Sequence, residues 1–528
     1  MKTYFLSSKS LVRRYSPLAI AAFMMFSCQP EAEIIAEQAI EHKTIKRSDL
    51  DNFIWDNVKK NGSFDWNDQS EQIIWNALSM SDGVLSVGFK PMGQNKDISK
   101  IIDKININEG EWKDAKNHVL DMIFDAERKL NPELKREQLI AFEENTLPVL
   151  DVYIKNPATL AMLRKSSFVR YAEPMGYEPN VSSANQLNKE LSSSGCDGSN
   201  PNNGLINGVD YTNFSPNTKA SWNHNFHNIS QAWGTASGNG ITAMIIDTGV
   251  SFGQDNYGSG INQGLSQGRT IEKLVTLPRD TFWGIPIGSP ETPDDGCGHG
   301  TAMTGVLGAP RGTDGSAAGI AYNANLVSVR AAEDVVIEGS RESKGVSDAY
   351  VLAGNRSDIR VTSMSLGRVT SSSQIADAIR YAYNRGVLMF CAAGTSFGWS
   401  SGWFGVIFPA TMNETVAVTG VKDNMQRCDN CHDGSKVDFV VVMEKASNGR
   451  HPLTLAMSGD VPATVGGSSV ATAQTAGMAT LLWSSNKNLS REQVLNKLKV
   501  SASNYPNRNS NFGWGKIDLA KALTASAN

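Results

Sequence analysis

Beyond residue 220 the chain carries five uninterrupted apolar runs: ITAMIIDTG (241–249), ANLVSVRAA (324–332), DIRVTSMSLG (358–367), VLMFCAAG (387–394) and TVAVTGV (415–421). Runs of this length without polar alternation suit strands covered on both faces. The segments between them have a helical period, most clearly SQIADAIRYAYNRG (373–386), which stops at a glycine, and VSDAYVLAG (346–354). Strand and helix in alternation predict an α/β fold with a doubly wound parallel sheet, whose ligands gather at the carboxyl ends of the strands. At 528 residues and 40% hydrophobic, the chain has material for a second folded part as well.

That second part lies upstream. Residues 112–130 (WKDAKNHVLDMIFDAERKL) read as an amphipathic helix, and VLDVYI (149–154), PATLAMLRK (157–165) and FVRYAEP (168–174) as strand, helix and strand. Together they predict a small α+β unit over 111–180, preceded by a loosely organised leader over 28–110. Residues 181–219 turn to Ser, Asn and Gly, the composition of an exposed, cleavable linker, and 220–528 form the large domain. Residues 1–27 are laid out as an export signal: Lys2, Lys9, Arg13 and Arg14 precede the apolar run PLAIAAFMMF (17–26). The run is about half of what a membrane-spanning helix needs. Ser27 directly before Cys28 resembles the lipoprotein signal, which implies lipidation of Cys28 and a place in the cell envelope, the alternative being a released protein; Met25 departs from that pattern. The expected membrane contact is through such an anchor alone. With 49 Lys+Arg against 53 Asp+Glu and no single-sign block, nothing in the charge points to nucleic acid.

Three polar residues interrupt the apolar pattern where a doubly wound sheet would place a site. Asp247 ends the run AMIID, His299 stands between glycines in DDGCGHGTAMTG (294–305), and Ser469 follows two glycines in GGSSVATAQTAG (466–477). Separately, each has an ordinary explanation: a loop-capping carboxylate, a packed imidazole, a helix N-cap. His299 and Cys297 lack metal-ligand spacing, so no metal is expected there. A serine at the start of a helix does, however, offer a hydroxyl beside unpaired N–H groups, which a nucleophile requires.

Taken together and in this order, IIDTG, HGT and GSSVA resemble the motifs of the subtilisin family of serine proteases, as do SMSLG (363–367), Pro409-Ala410 and FGWGKIDLAKAL (512–523). The resemblance covers roughly 220–523. It implies a serine endopeptidase acting on proteins or peptides, with Ser469 as nucleophile, His299 as its base and Asp247 orienting the base, and with no cofactor needed for the reaction. It also implies that Ser365, Leu366 and Gly367 form an edge pairing with substrate backbone, and that Ala392, Ala393 and Gly394 flank the pocket on the acyl side. Thr395 stands where the family has an asparagine, so the oxyanion hole would be Thr395 with the Ser469 N–H. VRYAEP resembles the end of the family's propeptides, which implies a precursor that cuts its own linker and is inhibited by its own propeptide. Structural calcium is common in the family, but no ligand run here marks a place for it. The residues between Asp247 and His299 read as an insertion beside the cleft, and Trp399 and Trp403 as loop or substrate contacts.

Beyond Cys28 five cysteines remain. Cys391, in VLMFCAAG, is expected to be a buried free thiol. Cys196, Cys297, Cys428 and Cys431 allow three pairings, all open at this point. CDNCH (428–432) also matches a haem-attachment pattern, though without the surroundings of a haem pocket, and a catalytically weak or inactive surface binding protein is the other alternative.

Overall fold

A computed structural model describes residues 44–180, 196, 199–282, 285–396 and 405–526. The export signal, Cys28, Trp399, Trp403 and residues 181–195 and 197–198 of the expected linker lie outside the described residues. Among the described residues no helix is long and apolar enough to cross a membrane.

The five runs become five strands of a seven-stranded sheet. Its order is Phe439–Glu444, Val416–Lys422, Leu388–Ala392, Ile359–Met364, Thr242–Asp247, Asn325–Arg330 and Ile271–Val275, and every neighbouring pair is parallel. The Ile271–Val275 edge strand shows that the segment between Asp247 and His299 is not wholly an insertion: part of it completes the sheet, too polar (IEKLV) to be read as a buried strand. From Thr242–Asp247 the chain first builds toward that edge and then crosses to Ile359–Met364 on the other side. The order therefore switches at Asp247, the kind of point where a crevice opens. One face of the sheet packs on helices His299–Gly308 and Gly467–Ser485, and the other on Ser340–Asn355 and Ser373–Asn384.

The upstream unit is larger than its sequence pattern indicated. Its four-stranded antiparallel sheet is ordered Ile140–Phe142, Val149–Tyr153, Val84–Phe89, Val169–Pro174, so an inner strand comes from the supposed leader. Helices Arg47–Asn61 and Glu71–Met80 join its core. All six residues of Val84–Phe89 are buried, and a six-residue run that short does not announce itself beside helices of weak amphipathicity.

This unit docks on the sheet face formed by Ser340–Asn355 and Ser373–Asn384, and carboxylates meet the first turn of each helix. Asp82 accepts from the N–H (3.2 Å) and hydroxyl of Ser340, while Glu173 accepts from the N–H and hydroxyl (2.9 Å) of Ser373. Carboxyl oxygens at these positions satisfy orphan N–H groups at the helix starts. Farther along, Arg368 is 1% exposed and bonds Glu178 Oε1 (2.8 Å) and the carbonyls of Met175 (3.2 Å) and Tyr177 (3.0 Å). The tail of the upstream unit is thus fixed beside the Ser365–Gly367 segment. From Ser199 onward most of the expected linker is exposed, but it is tied down: Tyr211–Phe214 pairs with Thr218–Ser221, and Ser199 and Asn202 make backbone bonds to the large domain.

Candidate active site

Asp247 reaches the crevice because its strand ends there, and Thr248-Gly249 turns the chain away. Gly300 allows the next helix to press onto this turn, since a Cβ there would stand 2.2 Å from the Gly249 carbonyl oxygen. The close approach brings His299 Nδ1 to 2.8 Å from Asp247 Oδ1, with the two residues 6% and 0% exposed. Asp247 Oδ1 also accepts from the Thr248 N–H (2.9 Å).

A second carboxylate, which the sequence reading missed, holds the histidine's helix. Asp295 is buried and accepts from the N–H groups of Cys297 (3.0 Å), Gly298 (2.7 Å) and Thr301 (2.7 Å) and from the hydroxyls of Thr248 (2.8 Å) and Thr301 (2.6 Å). An Asp just ahead of a helix is a capping signal, so DDGCGHGT contained the clue. Burial pushes the pKa of His299 down, but Asp247 foremost, with Asp295 and Asp334, pulls it up, and the net lies above the ordinary 6.5.

Ser469 is the third residue of helix Gly467–Ser485 and is 7% exposed. Gly467, at φ +87°, makes the bend into the helix, where a Cβ would also meet Thr395 Oγ1 at 2.8 Å. No side-chain hydrogen bond caps the Ser469 helix, and the Ser469 hydroxyl is not bonded to His299 or another described residue. It lines, together with His299, a cavity of about 400 Å³ whose walls include Gly298, Asn430, Glu444 and His451. On the other side a hollow of about 20 Å³ is bounded by Val335, Ser365, Gly367, Ala392 and Gly394. Thr395 and Ser469 line both. His451, an imidazole in the same cavity as His299, carried no sequence signal.

Thr395 is placed at this boundary, and its hydroxyl is already engaged: Oγ1 accepts from the Ser468 N–H (2.9 Å) and shares a hydrogen bond with Ser468 Oγ (2.8 Å). Of the expected acyl-side residues, Ala392 and Gly394 line the hollow, whereas Ala393 is turned into the core. Ser365 Oγ donates to the Ser469 carbonyl (3.1 Å). The expected open edge is partly closed: Gly367 donates to the Val335 carbonyl (3.2 Å) and accepts from the Ile337 N–H (3.0 Å), so the segment before helix Ser340–Asn355 lies where a substrate strand would pair.

CDNCH proves structural and gives no support to haem. Cys428 and Cys431 are joined to each other, and His432 is buried with Nδ1 on the Gly405 carbonyl (2.7 Å) and Nε2 on Ser396 Oγ (2.8 Å). Burial lowers its pKa to about 4, and its ring packs under Gly394 while Cys431 pairs with Thr395. The motif therefore backs the Thr395 strand. The other pair is Cys196–Cys297, and Cys391 is a buried free thiol. Among the described residues no group of three or more His, Cys, Asp or Glu side chains could hold a metal ion.

Residues 238–515 match the model of the subtilase family. The chain belongs to the subtilase family. M-protease of Shouchella clausii (strain KSM-K16) is 28% identical over 54% of this chain and 65% of its own length. Thermitase of Thermoactinomyces vulgaris is 25% identical over 56% of this chain and 92% of its own. The solved structure of MycP1 from Mycobacterium smegmatis, 21% identical, aligns over 60% of this chain and 88% of that one with a TM-score of 0.45. The chain thus spans about two thirds of M-protease and nearly all of thermitase. The match begins well after the upstream unit.

Proposed function

We propose that the protein is an exported serine endopeptidase, made as a precursor that cuts its own linker. The observation that carries this reading is the 2.8 Å contact of His299 with Asp247 in a cavity that Ser469 also lines. Asp247 accepts the Nδ1–H, which leaves Nε2 as the basic nitrogen. Ser469 Oγ attacks a peptide carbonyl as Nε2 takes its proton, and the proton then passes to the departing amine. Water repeats the sequence on the acyl-enzyme. The negative oxygen is met by the Ser469 N–H, which has no acceptor within its helix, and by Thr395.

Because Thr395 Oγ1 takes a hydrogen bond from the Ser468 N–H, its own proton is free for the oxyanion when Ser468 donates to it rather than the reverse. An Asn at this position would supply an N–H without that competition. Thr395→Asn is therefore expected to be as fast as the parent or faster in kcat/KM for a peptide; a drop of about 10² or more would show that the oxyanion is held elsewhere.

The upstream unit, by this reading, is the propeptide. Its Glu173 is buried against Ser373, and burial raises its pKa to about 8; on release the carboxyl would return to about 4.5. Docking then takes up a proton between those values, so the docked form is favoured at low pH and loses this advantage as pH rises toward 8. Asp151, raised by burial to about 7 and bonded by Gln374 (3.0 Å), acts in the same sense. After processing, the two parts should co-elute at pH 5 and separate at pH 8; equal retention at both would contradict it.

A catalytically inactive binding protein is the second reading, favoured by the closed Gly367 edge. Hydrolysis of a denatured protein by the purified full-length chain, tested before and after linker cleavage, separates the two: the peptidase reading expects activity after cleavage, and none at either stage favours the binding protein. The reading includes export and a lipid on Cys28, which a radiolabelled fatty acid retained by wild type and lost from Cys28→Ser would support.

A further inference from the structure

Two hollows meet at Thr395 and Ser469, and they are unlike. The small one is built from residues of the large domain alone. The large one holds His299, which returns its proton to the leaving amine, so the part of a substrate beyond the cut lies there. One of its walls comes from the segment that precedes the large domain: Ser199 and Asn200 line it. That wall is fastened at several points. Cys196 is joined to Cys297, two residues before His299. Ser199 accepts from the Met457 N–H (3.0 Å) and its hydroxyl donates to the Leu455 carbonyl (2.9 Å). The Asn202 N–H donates to the Pro462 carbonyl (2.9 Å), and its side chain reaches Thr464 Oγ1 (3.4 Å).

We infer that Ser199 and Asn200, clamped through Cys196–Cys297, remain with the processed enzyme and form a specificity-determining wall for the residue just after the cut. The inference rests on the peptidase reading. A cut upstream of Cys196 leaves the bridge and the backbone bonds intact, so the wall has no reason to depart with the upstream unit. Asn200 lines the same cavity of about 400 Å³ as His299 and Ser469, so its bulk bears on how large a side chain can sit on the leaving side. Acyl-side selection, made in the other hollow, is separate.

The test uses the reverse of the acylation step, which reads the leaving side alone. The processed full-length protein is acylated with a peptide ester, and the acyl-enzyme is divided between water and an added amino-acid amide. When the amine attacks the acyl carbon, an amide bond forms, the bond from carbon to Ser469 Oγ breaks, and the amine's proton passes through His299 to Ser469. Glycinamide is compared with phenylalaninamide. Asn200→Trp should lower the capture of phenylalaninamide relative to glycinamide by ~5-fold or more, and Asn200→Ala should raise it. The Ala variant keeps the test decisive where the Trp variant does not fold. Intact mass of the processed enzyme should place its N-terminus ahead of Cys196, with Cys196 and Cys297 retained in one chain. Capture ratios within about twofold of wild type in the folded variants, or a processed enzyme lacking Cys196, would overturn the wall while leaving ester turnover intact. An ester untouched by wild type would instead overturn the peptidase reading, and the wall with it.

Discussion

Ser469→Ala is expected to accumulate as one uncut chain, while the wild type purified beside it shows a second N-terminus between residues 181 and 195. Alanine should fill the place of Ser469: its hydroxyl is bonded to no described residue, and Ser468, not Ser469, ties the helix to Thr395. Stability should therefore change little, and peptide turnover should fall by about six orders of magnitude, the size of loss seen when a triad's nucleophile is removed. N-terminal sequencing of both proteins reads the first effect directly. The same processed ends in both would mean that another protease makes the cut.

The second large effect concerns the carboxylate. Asp247→Asn keeps the size of the side chain but removes the charge that faces the Nδ1–H of His299 at 2.8 Å. Since the Thr248 N–H uses the same Oδ1, a flipped amide would turn its NH2 to both groups, losing the Thr248 bond and donating to His299 Nδ1, which fixes the wrong tautomer. Turnover should fall by about 10⁴, with folding preserved. The pH profile separates this from a merely structural loss. In the wild type His299 must be neutral to act, and its pKa is raised by Asp247, so the rising limb of kcat/KM should be centred above 6.5. Without the carboxylate, burial prevails and the limb should move to lower pH. The ion pair has a matching effect on stability, present while His299 is protonated and lost as pH rises through its raised pKa. A limb that stays in place in Asp247→Asn would remove Asp247 from its assigned role.

How much of this was legible in the sequence follows from the kinds of signal involved. Buried parallel strands leave continuous apolar runs, and five of them could be read directly. The edge strand Ile271–Val275 could not, because one of its sides lacks a neighbour and its residues are mixed. Asp247, His299 and Ser469 stood out because short glycine-rich turns surround them, and those glycines answer to a close contact at Gly300 and a left-handed φ at Gly467. Asp295 does not stand out, since its role is to collect N–H groups, which any pre-helix Asp can do. The part played by CDNCH depends on what lies across from it, Thr395 and Gly394, contacts that no local pattern encodes. The closure of the Gly367 edge by Val335 and Ile337 belongs to the same class, since a backbone pairing between segments 30 residues apart depends on the fold around them.

Covalent labelling reads most directly whether Ser469 is a nucleophile activated by His299. The processed protein is treated with a fluorophosphonate and digested, and the modified peptide is identified by mass. One adduct per chain is expected, on Ser469, lost on unfolding and in His299→Ala. A folded protein that takes up no reagent, or carries it on a different serine, would contradict it.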